Sequence, residues 1–157
     1  MKILVFSDSH HSIGNMYDAV TQEKPDQILH LGDHYEDAED LRSVFSHTAI
    51  QYVPGNCDYA CDLPFERLLI ISGVRIFMTH GHQYAVKSGL DRLICAAKEK
   101  NADIALFGHT HEGFLQTREG LTLMNPASCG CGTGKPSYGK ITVENGTFSC
   151  QIIPFED

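Results

Sequence analysis

Six of the nine histidines fall in three close pairs, His10 and His11, His80 and His82, and His109 and His111, and His34 directly follows Asp33. Five apolar runs each end in a side chain able to bind a metal. "FSDSH" supplies Asp8 and His10, "LGD" Asp33, "PGN" Asn56, "MTHGH" His80 and His82, and "FGHTH" His109 and His111. Imidazoles beside carboxylates suit first-row divalent cations and proton transfer. Taken singly the motifs are weak, since Asp8-x-His10 is a common tripeptide and Gly32-Asp33 is more commonly a tight turn. His109-x-His111 says more, because alternate residues of an extended segment project to one side. Their joint placement carries the argument: in open α/β sheets ligands bind beyond the carboxyl ends of the strands, so these side chains are expected to converge on one rim.

The runs that must position them are "KILVFSD", "QILHLGD", "AIQYVPGN", "RIFMTHG" and "DIALFGH", each short enough to be a buried strand. Between the first two, Ile13, Met16, Tyr17 and Val20 follow helical spacing behind Ser12 as N-cap, which makes a βαβ unit. A second helix places Ala38, Leu41, Val44 and Phe45 on one face, and a third does so with Leu90, Leu93, Ile94 and Ala97. Beyond residue 112 the texture is β, with hairpins turning at Glu119-Gly120 and Asn145-Gly146. Glu36, Asp37, Glu39 and Asp40 read as the solvated start of the second helix, worth a few tenths of a kcal/mol each against its dipole. His30 and His47 read as packed or surface residues.

The ordered blocks Asp8-Ser9-His10, Gly32-Asp33, Gly55-Asn56-Cys57-Asp58, His80-Gly81-His82 and Gly108-His109-Thr110-His111 resemble those of the calcineurin-like metallophosphoesterases, D-x-H, GD, GN-x-[DE], H and GHTH. In length the chain resembles the short, single-domain YfcE-like phosphodiesterases. The resemblance implies an α/β fold, a four-layer αββα sandwich of two mixed β-sheets flanked by helices, with residues 1–157 forming one domain. It implies two divalent metal ions, Mn first and Fe, Zn, Ni, Co or Mg as alternatives. One would be held by Asp8, His10, Asp33 and His111, the other by Asp33, Asn56, His80 and His109, with Asp33 bridging. Asp33, Asn56 and His80 would be catalytic, and a metal-bridging hydroxide would attack a small phosphodiester in line. His11, His34, Cys57, Asp58 and His82 would stand on the leaving-group side or support the ligands.

Two departures from the family pattern affect the chemistry. Cys57 stands where many members have a histidine, and a thiol cannot carry positive charge toward a departing oxygen. In "NPASCGCGTGKPSYG" Asn125, Pro126 and Ser128 match the family, but Ala127 replaces a glycine and a Pro-Arg pair is missing. The same stretch lacks the first glycine of a P-loop and has Pro136 after Lys135, so no phosphate cradle of that type is expected. Cys129-x-Cys131 has no second cysteine pair at finger spacing.

Composition narrows the setting. The formal charge of −8 repels nucleic-acid backbones and anionic membranes, so tight duplex binding is not expected. The 42% hydrophobic content suits an ordinary globular core, and no run approaches a membrane span of roughly 18 residues. Six cysteines in a chain with a good core read as free thiols of a cytoplasmic protein. The expected partner is a small phosphoester substrate, and a homo-oligomer is left open. An amidohydrolase barrel needs about 250 residues, more than are here. The alternative function is a non-catalytic scaffold like the family's retromer subunit; that subunit has lost several ligand residues, whereas all seven positions are filled here.

Overall fold

In the computed structural model, which describes every residue except Ala60, Cys131, Thr133 and Asp157, the apolar runs form the expected strands. The elements are β1 (Lys2–Phe6), α1 (Ile13–Glu23), β2 (Gln27–His30), α2 (Glu36–Val44), β3 (Ala49–Tyr52), β4 (Glu66–Ile71), β5 (Val74–Thr79), a 3₁₀ turn (His82–Tyr84), α3 (Asp91–Glu99), β6 (Ile104–Leu106), β7 (Gly113–Arg118), β8 (Leu121–Pro126), β9 (Ser137–Glu144) and β10 (Thr147–Pro154). One sheet runs β10-β9-β1-β2-β3 and the other β4-β5-β6-β8-β7. Both are mixed: β1, β2 and β3 are parallel, as are β5, β6 and β8, while β9 and β10 in the first sheet and β4 and β7 in the second pair antiparallel.

Three apolar layers hold four structural ones. Ile3, Val5 and Leu29 of the first sheet meet Ile76, Met78 and Leu106 of the second, all fully buried. Leu4, Phe6 and Ile28 point the other way, toward Met16 and Val20 of α1 and Ala38 and Leu41 of α2. Phe77, Ala105 and Leu123 pack under Leu93 and Ala97 of α3. Alternating strand residues therefore feed opposite cores, the pattern of strands covered on both faces. The αββα sandwich expected from the sequence is the fold.

Some local expectations are corrected. Ser12 occupies the position before α1 but makes no side-chain cap bond; its hydroxyl lies so close to Gly130 that any Cβ there would meet it at 1.7 Å. Tyr17 and Val44 are exposed rather than core, because the buried stripe of α1 runs through Met16, Ala19 and Val20 and α2 ends at Val44. Tyr17 instead packs on Phe45, joining the two helices from outside. Strand β4 had no clear sequence signal: "ERLLII" does not alternate, and as a sheet edge it leaves Ile70 exposed. It reaches β5 through Ser72-Gly73, where both residues take positive φ, as they do at Glu119-Gly120 and Asn145-Gly146.

The end of α1 is tied to the first sheet by Glu23. Its carboxylate receives Lys2 and Lys140, each at 3.2 Å, and the Tyr138 hydroxyl at 3.2 Å. Partial burial alone would raise this carboxyl, but the two lysines and the tyrosine hold it below its ordinary 4.5. A depressed folded-state value contributes stability above the unfolded value, lost as pH falls through the folded one. Glu23→Gln is therefore expected to be less stable than the unchanged protein at pH 7, with the gap closing progressively below pH 4.5. Denaturant unfolding at both ends of that range checks it, and an undiminished gap in acid would contradict it.

Candidate metal centre

The chemistry-bearing residues stand past strand ends, seven of them on backbone bent into the left-handed region. Asp8, His10, His11, Asp33, His34, His109 and His111 all have φ between 42° and 70°. Asp and His tolerate this better than most side chains, yet such conformations persist only where their surroundings enforce them. Two glycines allow the close approach. A Cβ on Gly55 would lie 2.1 Å from Asp33 Oδ1, and one on Gly108 would lie 2.0 Å from Ser7 Oγ and 2.8 Å from Asp8 Oδ2. The His109-Thr110-His111 segment is accordingly a turn and not extended, which corrects the reason given for its pairing. Its histidines diverge, His111 toward Asp8 and His109 toward His80.

The first group comprises Asp8, His10, Asp33 and His111, whose candidate ligand atoms all lie within 4.8 Å of one another. His111 Nε2 is 3.1 Å from Asp8 Oδ1, and His10 Nε2 is 3.8 Å from Asp33 Oδ2. His10 Nε2 is buried and makes no hydrogen bond among the described residues. The second group gathers on His80. Its Nδ1 faces the Leu31 carbonyl at 2.8 Å and so carries a proton, since a carbonyl can only accept. Its Nε2 then faces three oxygens: Asn56 Oδ1 at 3.0 Å, Asp33 Oδ1 at 3.5 Å and Asp8 Oδ1 at 3.8 Å. A proton or a cation would relieve that arrangement. The His109 ring centre lies 5.1 Å from that of His80. Asp33 thus turns one oxygen to each group.

Charge states follow from these surroundings. Burial alone would raise the Asp8 carboxyl, but His111, His80 and Ser7 hold it down to about 2. Burial lowers His10 and His82 and, with His80 and Lys87, brings His109 down to about 4, so these imidazoles keep a lone pair at neutral pH. His111 is raised by its hydrogen bond to Asp8. Two buried carboxylates ringed by imidazoles fit a divalent cation by donor type.

Around these groups lie contacts the sequence did not disclose. The Asp58 carboxylate accepts the backbone N–H of Asp33 at 2.9 Å, His34 at 2.8 Å, Tyr35 at 3.3 Å and Gly55 at 2.8 Å, locking the loops after β2 and β3 together. Tyr35 stands at the start of α2 without a side-chain cap of its own, so Asp58 serves that end of the helix from another loop. Asp37, expected in solvent with Glu36, Glu39 and Asp40, is instead 3% exposed and bonded to Ser9 Oγ and His11 N. The other three are exposed as expected. Spacing could have found it: on the helix Asp37 sits beside Ala38 and Leu41, on the inward face. Ser7 Oγ donates to Asp8 Oδ2 at 2.5 Å, Ser128 Oγ to Asp8 O at 2.8 Å, and Asn125 Nδ2 to Gly108 O at 3.1 Å. His30 is packed, as expected, and His47 is exposed.

The remaining candidates line the rim. His11 is largely exposed, its ring 4.2 Å from that of His34, which in turn lies 4.9 Å from His10. The His82 ring centre lies 5.4 Å from that of His80, the two rings tilted. Cys57 N donates to Asp33 Oδ1 at 2.9 Å, while burial and the Asp33 and Asp58 carboxylates push its thiol up, away from a nucleophilic thiolate. Cys129 is buried, and Cys131 lies outside the described residues, so the Cys129-x-Cys131 pair is not described.

The profile of the calcineurin-like phosphoesterase superfamily domain matches residues 1–146. The chain belongs to that superfamily. A probable metallophosphoesterase of Bacillus subtilis is 31% identical over 153 residues, covering 92% of this chain and 86% of the relative. A phosphodiesterase of Methanocaldococcus jannaschii is 27% identical over 163 residues, covering 92% and 94%. Wild-type Vps29 of Entamoeba histolytica, in complex with zinc, shares the fold with a TM-score of 0.78 at 20% identity over 99% of this chain and all of its own. The ordered blocks of this superfamily thus stand on strand ends that face one another.

Asp58→Ala is expected to destabilise the protein by about 3 kcal/mol, because several backbone N–H groups lose a charged acceptor at once. Urea unfolding checks this, and a change under about 1 kcal/mol would show that water replaces the carboxylate without loss.

Proposed function

We propose that the protein is a metal-dependent phosphodiesterase whose single domain, residues 1–157, hydrolyses small phosphodiesters at this centre. The observation that carries the reading is the division of Asp33, with Oδ2 toward His10 and Oδ1 toward His80. Asp8, His10, Asp33 and His111 would hold one divalent cation, and Asp33, Asn56, His80 and His109 a second. Two such ions would acidify water and neutralise charge developing on phosphorus. Mn is the first candidate, ahead of Fe, Zn, Ni, Co and Mg, all of which accept mixed oxygen and imidazole donors.

The chain's own part is to orient and to exclude. Asp58 and Gly55 keep Asp33 in place, and His80 is held by its bond to the Leu31 carbonyl. Asn56 is exposed at the rim, where its amide can meet a phosphoryl oxygen. Water attacks phosphorus, the ester oxygen leaves opposite it, and that oxygen needs a proton. The Cys57 thiol is pushed up and is a weak acid, and burial lowers His82 toward its neutral form, so the proton is assigned to solvent or to the rim imidazoles His11 and His34. Leaving-group acidity then governs rate. The charge of −8 favours small diesters over duplex nucleic acid. The free thiols at Cys57, Cys61, Cys95 and Cys150 suit a cytoplasmic setting, and no described helix is long and apolar enough to cross a membrane.

The second reading is a scaffold that acts through protein partners, favoured by the likeness to Vps29. Turnover separates them. Protein loaded with Mn²⁺ is expected to cleave bis(p-nitrophenyl) phosphate, with alkyl diesters far slower, and Asp33→Asn is expected to lose at least about 100-fold in kcat/KM, or roughly 2.7 kcal/mol. Equal rates on aryl and alkyl diesters would reveal an efficient acid, and no turnover with any metal of the series would favour the scaffold.

A further inference from the structure

A buried chain of hydrogen bonds runs from the first sheet to the rim, outside the ligand set. Gly32 N–H donates to His30 Nδ1 at 3.1 Å, which leaves the His30 proton on Nε2. That Nε2–H faces Ser9 Oγ at 2.9 Å, so the serine accepts there and has its own proton to give. It gives it to Asp37 Oδ2 at 2.7 Å. The same carboxylate oxygen accepts His11 N–H at 2.8 Å, and Oδ1 lies 3.5 Å from His11 Nδ1. Burial of His30, which pushes its imidazole down to about 4, keeps it neutral in that tautomer.

We propose that Asp37 is a positioning residue for the metal centre: from inside α2 it fixes both ends of the turn whose middle residue, His10, points into the first ligand group. The inference rests on the metal-binding reading above. Ser9 and His11 flank His10 directly, and both are bonded to Asp37. His10 and His11 take φ of 42° and 69°, conformations that need an external hold. Ser9, Asp37 and His30 are all nearly or fully buried, so water does not substitute for any one of them. Asp37 never contacts a ligand atom in this arrangement; it acts through the backbone and through the His11 ring.

Calorimetric titration of metal-free protein with Mn²⁺ tests this without any assay of turnover. Asp37→Ala is expected to weaken Mn²⁺ binding roughly tenfold or more, the usual scale for groups that support metal ligands. Asp37→Asn, whose amide oxygen still accepts from Ser9 and His11, recovers part of the loss. Glu36→Gln and Asp40→Asn, exposed acids of the same helix, are expected to bind like the unchanged protein, which separates positioning from a general effect of helix charge. A folded Asp37→Ala within twofold of the unchanged protein overturns the proposal. Should Asp37→Ala fail to fold, Ser9→Ala cuts the same link without touching α2; it is expected to show the same weakening, and affinity within twofold again overturns the proposal. Failure of the unchanged protein to bind Mn²⁺ would instead remove the metal reading, and this inference with it.

Discussion

Asp8 and Asp33 are buried carboxylates at the seam between two sheets, and the cost of placing them there organises much of the molecule. An isolated buried carboxylate is expensive unless paired. Here the partners are imidazoles and backbone N–H groups, drawn from the ends of β1, β2, β3, β5 and β6. The sheets are joined at this same seam: His109 N donates to Asp8 Oδ2 at 3.1 Å, Cys129 N to Ser7 O at 3.1 Å, and His80 Nδ1 to Leu31 O at 2.8 Å. The centre is thus part of what sets the two sheets against each other, and its surplus of donor atoms is what a cation would satisfy.

The sandwich makes that seam possible. Parallel strands in each sheet send their carboxyl ends to one edge, and apolar packing beneath, through Ile3, Leu29, Ile76 and Leu106, holds the edges at a fixed separation. Backbone in the left-handed region at Asp8, His10, Asp33, His109 and His111 then turns side chains inward, so that ligands within a few residues of a strand end can meet. Gly55 and Gly108 are the clearances without which Asp33 and Asp8 could not take their places.

Much of this was legible in the sequence, for identifiable reasons. Apolar runs punctuated by Asp, Asn and His marked β1, β2, β3, β5 and β6, and Asn145-Gly146 and Glu119-Gly120 marked hairpins by their turn chemistry. The family resemblance supplied the pairing of sheets and the grouping of ligands, which periodicity alone could not. What stayed hidden depends on tertiary geometry. Asp37 looked like one of four helix-start acids, and only the approach of Ser9 and His11 distinguishes it. Asp58 was a candidate by motif, but its grip on four N–H groups requires two loops to meet. Edge strand β4 lacked the alternation that marks a half-buried strand.

The account stands on Asp33 joining two cation sites. Diffraction from crystals soaked in Mn²⁺, collected at the manganese absorption edge, measures this directly. The expected result is two anomalous peaks roughly 3.5–4 Å apart on either side of the Asp33 carboxylate. A single peak, or peaks away from Asp33, would contradict it.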